Sequence, residues 1–385
     1  MQKFKEMLSS GNAQLSDIYS IIEKLEPGVI KTQLASVTDS FARSSANGSS
    51  GLNIGSLLNV LIGLLSSLVD GLVGLIGGNE LKGVTAENIS ITATTAEKFA
   101  SGYGVKLHGN IYRNKNATEN KWALVIHPFM MSGKTMANAV GTYYYNKGYN
   151  ILAIDLRGFG DSKGSVALGF LESLDAYDWL VEMNQNTETF GKIDHIIVHG
   201  TSLGGATTNF LSGINGFMAN GPKKMELQSL KDLNVRGLVE DCGYKNMEQF
   251  ADKSFIMSLG VGLSTDEEFA YYGNALHSLQ YCELPLLTIH GDADTMVKYN
   301  ENAPYICNQV NSNNYGGSAK LVTISGGAHA LIIMGNNGTY ETAVNDFIKG
   351  INEDDNFAFE RVNYDISKSG GLLDSLLGML KGLFK

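Results

Sequence analysis

From about residue 84 onward, short continuous apolar runs alternate with segments whose apolar positions recur at helical spacing. The runs at 89–96, 104–112, 122–126, 149–154, 196–199, 235–240, 286–290 and 320–324 read as strands, several of them apolar at consecutive positions. A strand covered on both faces has that signature, whereas a half-exposed one alternates. Helical segments lie between most of these runs, and Tyr143-Tyr144-Tyr145 falls on one of them. The alternation predicts an α/β architecture, a mostly parallel central sheet with helices on both faces.

The ends of the chain have a different texture. Leu15, Ile18, Ile21, Ile22 and Leu25 repeat at helical spacing until Pro27-Gly28, and the Ser/Gly-rich stretch 44–51 reads as a linker. Residues 52–78 are apolar except for a narrow stripe that carries Ser56, Asn59, Gly63, Ser66, Ser67, Asp70, Gly74 and Gly77. The length suits a membrane span, but Asp70, Asn59 and the glycines weigh against one. At 370–385, apolar pairs alternate with polar pairs as in an amphipathic helix. The expected organisation is an N-terminal helical extension over 1–83, a catalytic domain over 84–352 and a C-terminal extension over 353–385. The two apolar terminal helices leave open a lid, an oligomer contact and peripheral attachment to a membrane or lipid interface.

A formal charge of −10, with no block of lysine or arginine, removes the electrostatic basis for a nucleic-acid partner. Cys242, Cys282 and Cys307 are odd in number and widely spaced, which suits buried apolar residues in a reducing compartment better than a disulfide framework or a zinc site. The basic residues near Met1 are not followed by an apolar h-region, so no signal peptide is recognised and the cytoplasm is the expected location.

Candidate chemistry starts at Gly200-Thr201-Ser202-Leu203-Gly204, between an apolar run and a helical segment. A serine at such a strand-to-helix turn is held in a strained backbone, and glycines two positions either side let strand and helix approach closely. With 45 glycines in the chain, composition alone supplies the pattern about 0.4 times, so its surroundings must carry the argument. After a later strand comes Ile289-His290-Gly291-Asp292-Ala293-Asp294, where Asp294 is the candidate acid. After the last strand, Ser325-Gly326-Gly327-Ala328-His329 places His329 in a glycine-rich loop as candidate base. Serine, acid and histidine then follow one another in the order that a nucleophile-elbow hydrolase supplies them. Asp241, also at a strand end, is a second candidate for the acid. The oxyanion donors expected are the amides of Leu203 and of Phe129, because Pro128 has no N–H to offer. His199 and His290 read as buried, hydrogen-bonded residues, and Asp155, Arg157 and Asp161 as parts of a structural turn. No His/Asp/Cys spacing suggests a metal, and the chemistry needs no cofactor.

Taken together, His127-Pro128, the run Asp155 to Ser162, the Ser202 elbow, Val239 to Tyr244, the Asp294 loop and His329 resemble the α/β-hydrolase fold, within it the small-cap serine-aminopeptidase-like or lysophospholipase-like bacterial hydrolases. The resemblance spans about residues 88–350. It implies Ser202 as nucleophile, Asp294 as acid, His329 as base, and oxyanion donors at Leu203 and after His127-Pro128. Relatives carry His-Gly where this chain has His127-Pro128, which restricts the oxyanion loop. The segment 244–282 interrupts the α/β pattern and is expected to form a small cap, rich in Met247, Phe250, Phe255, Met257, Phe269, Tyr271 and Tyr272. Those side chains suit an apolar acyl or aryl group, or the cap's own core. The activity expected is that of a carboxylesterase or lipase-like serine hydrolase acting on small-molecule or lipid-like esters. Peptidase or thioesterase activity, or a catalytically silent member binding membrane or a partner through its terminal helices, are the alternatives.

Overall fold

A computed structural model of the chain describes residues 81, 83–100, 104–129, 131–329 and 338–366. Eight strands form one sheet: β1 (Glu87–Ala93), β2 (Val105–Tyr112), β3 (Lys121–Ile126), β4 (Asn150–Ile154), β5 (His195–Thr201), β6 (Val235–Asp241), β7 (Pro285–Gly291) and β8 (Ser318–Ile324). Their order is β1-β2-β4-β3-β5-β6-β7-β8. β1 and β2 are antiparallel to their neighbours, and every pairing from β4 to β8 is parallel.

Each predicted strand is present, with one boundary corrected. The run at 89–96 was expected to continue as strand through Ala96, but β1 stops at Ala93 and a helix, α1 (Thr95–Ala100), begins. The Asp178 carboxylate causes the break by accepting hydrogen bonds from the amides of Thr94 (2.6 Å) and Thr95 (2.9 Å), two donors at a helix start that the helix itself leaves unpaired. Asp178 belongs to α2 (Phe170–Gln185), so a contact distant in sequence overrides local propensity.

Successive residues of the parallel strands point to opposite faces. Leu124, Ile126, Val198, Leu238 and Leu286 enter one core with Phe170, Leu174 and Trp179 of α2, Phe210 of α3 (Leu203–Leu211) and Ile306 of α4 (Tyr299–Asn311). Ala123, Val125, Ile197, Val239 and Ile289 enter the other, against Met136 to Tyr149 and against Tyr340, Val344 and Phe347 of α5 (Gly338–Glu353). Tyr144 lies in a short helical turn, Thr142–Tyr145, on this second face.

Between β6 and β7 the chain makes short helical pieces at Met247–Gln249, Lys253–Ser258, Asp266–Tyr272 and Leu276–Leu279. Met247, Phe269 and Tyr272 are buried in the first core, and Tyr271 stacks on Phe217 with ring centroids 5.1 Å apart. Phe250 remains 41% exposed. Thus most of the aromatic payload of this segment is used in packing.

After α5 the chain runs extended along the outer edge of β8. Phe359 N donates to Ser318 Oγ (2.9 Å), Asn311 Nδ2 to Val362 O (2.8 Å), and Leu321 N to the Tyr364 hydroxyl (2.8 Å). The helices expected over 1–80 and the amphipathic helix at 370–385 lie outside the described residues. Among the described residues, no helix is long and apolar enough to cross a membrane.

Candidate active site

β5 ends at Thr201, α3 begins at Leu203, and Ser202 between them has φ 54° and ψ −110°. That backbone region is uncommon for a residue with a Cβ, and it is held by Ser202 N donating to Asp241 O (2.8 Å) and Ala206 N donating to Ser202 O (2.8 Å). The tightness of the turn is visible at Gly200, where an added Cβ would overlap the Gly204 carbonyl.

Ser202 Oγ lies 2.7 Å from His329 Nε2, and His329 Nδ1 lies 2.7 Å from Asp294 Oδ2. The structure therefore brings the three sequence candidates into one hydrogen-bonded row at the C-terminal ends of β5, β7 and β8. Asp294 Oδ1 accepts from the amides of Met296 (2.9 Å) and Val297 (2.8 Å), which fixes the carboxylate. His290 Nε2 sits 3.3 Å from Asp294 Oδ2 and 2.7 Å from Val297 O. Both neighbours accept, so that nitrogen carries the proton. Burial opposes ionisation of Asp294, but hydrogen bonds from His290 and His329 and from the turn amides outweigh it and hold the carboxyl well below the usual range.

Asp292 does different work. Its Oδ1 accepts from Gly326 N (2.6 Å), and Ala293 N donates to Gly327 O (3.1 Å), so the loop after β7 is tied to the loop that carries His329. Asp241, the second candidate acid, is fully buried and accepts from the Tyr340 hydroxyl at 3.1 Å. Burial raises its pKa to about 6, against hydrogen bonds from Tyr340 and the Cys242 thiol. Tyr340 also lies 3.2 Å from His199 Nε2, and Tyr144 lies 2.9 Å from His199 Nδ1. His199, with its pKa pushed down to about 3 by burial, is a neutral member of this buried network.

The two expected oxyanion donors sit on adjoining segments. Leu203 is the first residue of α3, where helix amides have no partner within the helix. A Cβ at Gly204 would be 2.9 Å from His127 O, which shows how closely the start of α3 abuts the loop that leads to Phe129. His127 accounts for how Pro128 is accommodated. Leu156 N donates to its Nε2 (2.9 Å), leaving Nδ1 to donate to Pro128 O (2.6 Å). The loop is thus clamped from a buried ring that packs edge-on against Phe159. Phe129 also meets Phe159 edge-on and is 39% exposed.

The turn from Asp155 to Ser162 is structural. Asp155 accepts from Gly133 N (2.8 Å) and Asp161 N (3.1 Å) and lies 3.1 Å from His108 Nδ1. Arg157 makes a two-pronged bond to Asp175, at 2.6 and 2.8 Å. Sequence reasoning gave no role to Tyr340, read Cys242 only as a buried apolar residue, and gave only a generic role to His127 and His290. Their partners are set by sheet register, which no local pattern encodes.

No protein-family model and no curated protein matches the sequence. Solved structures share its architecture. An esterase of Pyrococcus furiosus aligns over 71% of this chain and 95% of its own, at 20% identity and a TM-score of 0.50. A hyperthermophilic esterase of Pyrobaculum calidifontis aligns over 76% and 89%, at 15% identity and a TM-score of 0.52. An acylaminoacyl peptidase of Pyrococcus horikoshii aligns over 78% of this chain and 46% of its own, at 14% identity and a TM-score of 0.50. The chain has the α/β-hydrolase fold.

Proposed function

We propose that this protein is a serine hydrolase that cleaves carboxylic esters of apolar acids or aryl groups through an acyl-enzyme. The observation that carries the reading is the row from Ser202 Oγ to His329 Nε2 (2.7 Å) and from His329 Nδ1 to Asp294 (2.7 Å), mounted on a strained turn. In this mechanism His329 Nε2 accepts the Ser202 proton as Oγ bonds to the ester carbonyl carbon. The carbonyl oxygen becomes an oxyanion held by the amides of Leu203 and Phe129. The imidazolium, stabilised by ionised Asp294, then passes its proton to the departing alkoxide. Water, deprotonated by the same nitrogen, attacks the acyl-enzyme, and the acid leaves as the serine is re-formed.

Exposed apolar side chains support an apolar substrate. Phe129 (39% exposed) stands on the oxyanion loop and Met296 (65% exposed) on the turn that follows Asp294. The segment 244–282 contributes Phe250 as a cap residue, packed on Tyr244 with centroids 4.6 Å apart. Amide and thioester substrates would use the same groups.

A fluorophosphonate probe is expected to label the wild-type protein once per chain, with no labelling of Ser202→Ala. Ser202→Ala is also expected to lower kcat on chromogenic esters by about 10⁴-fold or more. A folded wild-type protein that takes no label would instead mark a silent hydrolase-fold protein. A panel of ester chain lengths, with matched anilides and thioesters, separates esterase from peptidase and thioesterase activity.

A further inference from the structure

Behind the acid and the base stands a group for which the proposed hydrolysis has no use, the thiol of Cys242. It follows Asp241 at the end of β6, is fully buried, and has φ 46°, a left-handed backbone that a residue with a Cβ seldom adopts. Cys242 N donates to Ile289 O (2.8 Å), which ties it to β7 just before the Asp294 loop. Ligand atoms of Cys242, Asp294 and His329 all lie within 4.8 Å of one another. A sulfur, a carboxylate oxygen and an imidazole nitrogen from three separate loops therefore converge on one point. The His329 side chain is 13% exposed, while those of Asp294 and Cys242 are fully buried.

We propose that Cys242, Asp294 and His329 form a binding site for a thiophilic divalent cation of the zinc or cadmium class, and that its occupation switches the hydrolase off. The donor set is one such ions favour, a thiolate, an imidazole and a carboxylate, with a fourth position for water. The thiolate and carboxylate charges together balance the charge of a divalent ion. Bonds form from the metal to Sγ, to a carboxylate oxygen of Asp294 and to Nδ1 of His329, the ring nitrogen that faces Asp294. The thiol gives up its hydrogen bond to Asp241 and its proton leaves to solvent, and the ring proton moves from Nδ1 to Nε2, so the imidazole stays neutral. Nε2 then carries hydrogen and cannot accept the Ser202 proton. A metal at this site would inhibit without touching the nucleophile, by fixing the wrong tautomer of the base.

The inhibition rests on the serine-hydrolase reading, but the binding does not, and the two are measured apart. Cobalt(II) added to Ser202→Ala protein is expected to give a thiolate-to-metal absorption band. The band should persist with Cys282→Ser added and vanish with Cys242→Ser or Cys242→Ala added. Zinc is expected to slow fluorophosphonate labelling of the wild type, reversibly on chelation. Either Cys242 variant, compared with its own metal-free rate, should need about tenfold more zinc or beyond for the same slowing. Cobalt binding to Ser202→Ala without a thiolate band would overturn the site. Equal zinc sensitivity of wild type and both Cys242 variants would overturn the switch. A band in a protein that takes no label would leave the site standing and reject the hydrolase reading alone.

Discussion

At Gly200 a single hydrogen decides whether the nucleophile can be presented. The turn brings the Gly204 carbonyl so close to Gly200 that a methyl group would overlap it, and Thr208 Oγ1 crowds the same spot. The Gly204 carbonyl cannot withdraw, because Gly204 is pressed against Ile126 and His127 on the other side. Gly200→Ala is expected to cost about 1–3 kcal/mol of stability as an overpacked core position. Fluorophosphonate labelling should also fall at temperatures where the variant is still folded. Labelling at the wild-type rate by a folded Gly200→Ala protein would show that the turn tolerates a wider form. The same spacing of small residues made Ser202 legible in the sequence, since the glycines are forced by the turn. Asp294 and His329 were legible because each lies in the loop after a strand, in a fixed order. Tyr340, which bonds Asp241 and lies beside His199, had no such signal. It reaches them from a helix far along the chain, and only the folded sheet defines the contact.

Among the elements, the sheet was readable because its central strands are buried on both faces and so appear as unbroken apolar runs. α1 was not readable, since Asp178 imposes it from outside. Nor was the extended segment after α5, which has no periodicity and owes its path to side chains already in place on its neighbours. Asn308 both donates to Tyr364 O (2.8 Å) and accepts from Tyr364 N (2.7 Å), imitating a strand partner. Phe359 stacks on Phe347, with ring centroids 5.7 Å apart and planes 20° from parallel. β8 pairs on one side with β7 only, and this strap covers backbone groups on its other side that could recruit another chain. Phe359→Ala is expected to lower stability by about 2 kcal/mol through lost apolar burial. Chain termination after residue 353 should in addition favour association through the bared edge. Thermal melts and size-exclusion profiles of the two variants test both, and an unchanged melt for Phe359→Ala would mean that the strap is held by its hydrogen bonds alone.

Across the whole molecule, the two cores each enclose titratable groups whose protonation couples folding to pH. Burial raises Glu172 to about 7 and Asp241 to about 6, and lifts Glu240 well above the usual carboxylate range. Partners offset this only in part, chiefly Arg157 for Glu172, Tyr340 for Asp241 and the Gly243 amide for Glu240. An acid whose pKa is raised on folding holds its proton more tightly in the native state. Its contribution is therefore fully present below the unfolded pKa and lost as pH rises through the folded one. Burial lowers the pKa of His199 to about 3 and of His195, aided by Arg236, to about 4, so their contribution has the opposite course. It is present above the unfolded histidine range and lost as pH falls below it. Between about pH 4.5 and 6.5 the two sets oppose each other and the stability curve should be shallow. From pH 6.5 to 8 the charging of unfolded His195 and His199 dies away, the raised acids and His108, raised by its hydrogen bond to Asp155, act in the same direction, and the melting temperature is expected to fall. Below pH 4 the acids are protonated in both states while His199 still charges only on unfolding, and stability falls again. Asp294 adds to that acid limb, because its depressed pKa gives stability that disappears as the carboxyl is finally protonated. A melting temperature still rising between pH 6.5 and 8 would contradict this assignment. Glu172→Gln, which removes the titration but keeps an acceptor for only one of the two amides, Ala167 and Gly169, that Glu172 binds through separate oxygens, should lower absolute stability and flatten the fall in the same window.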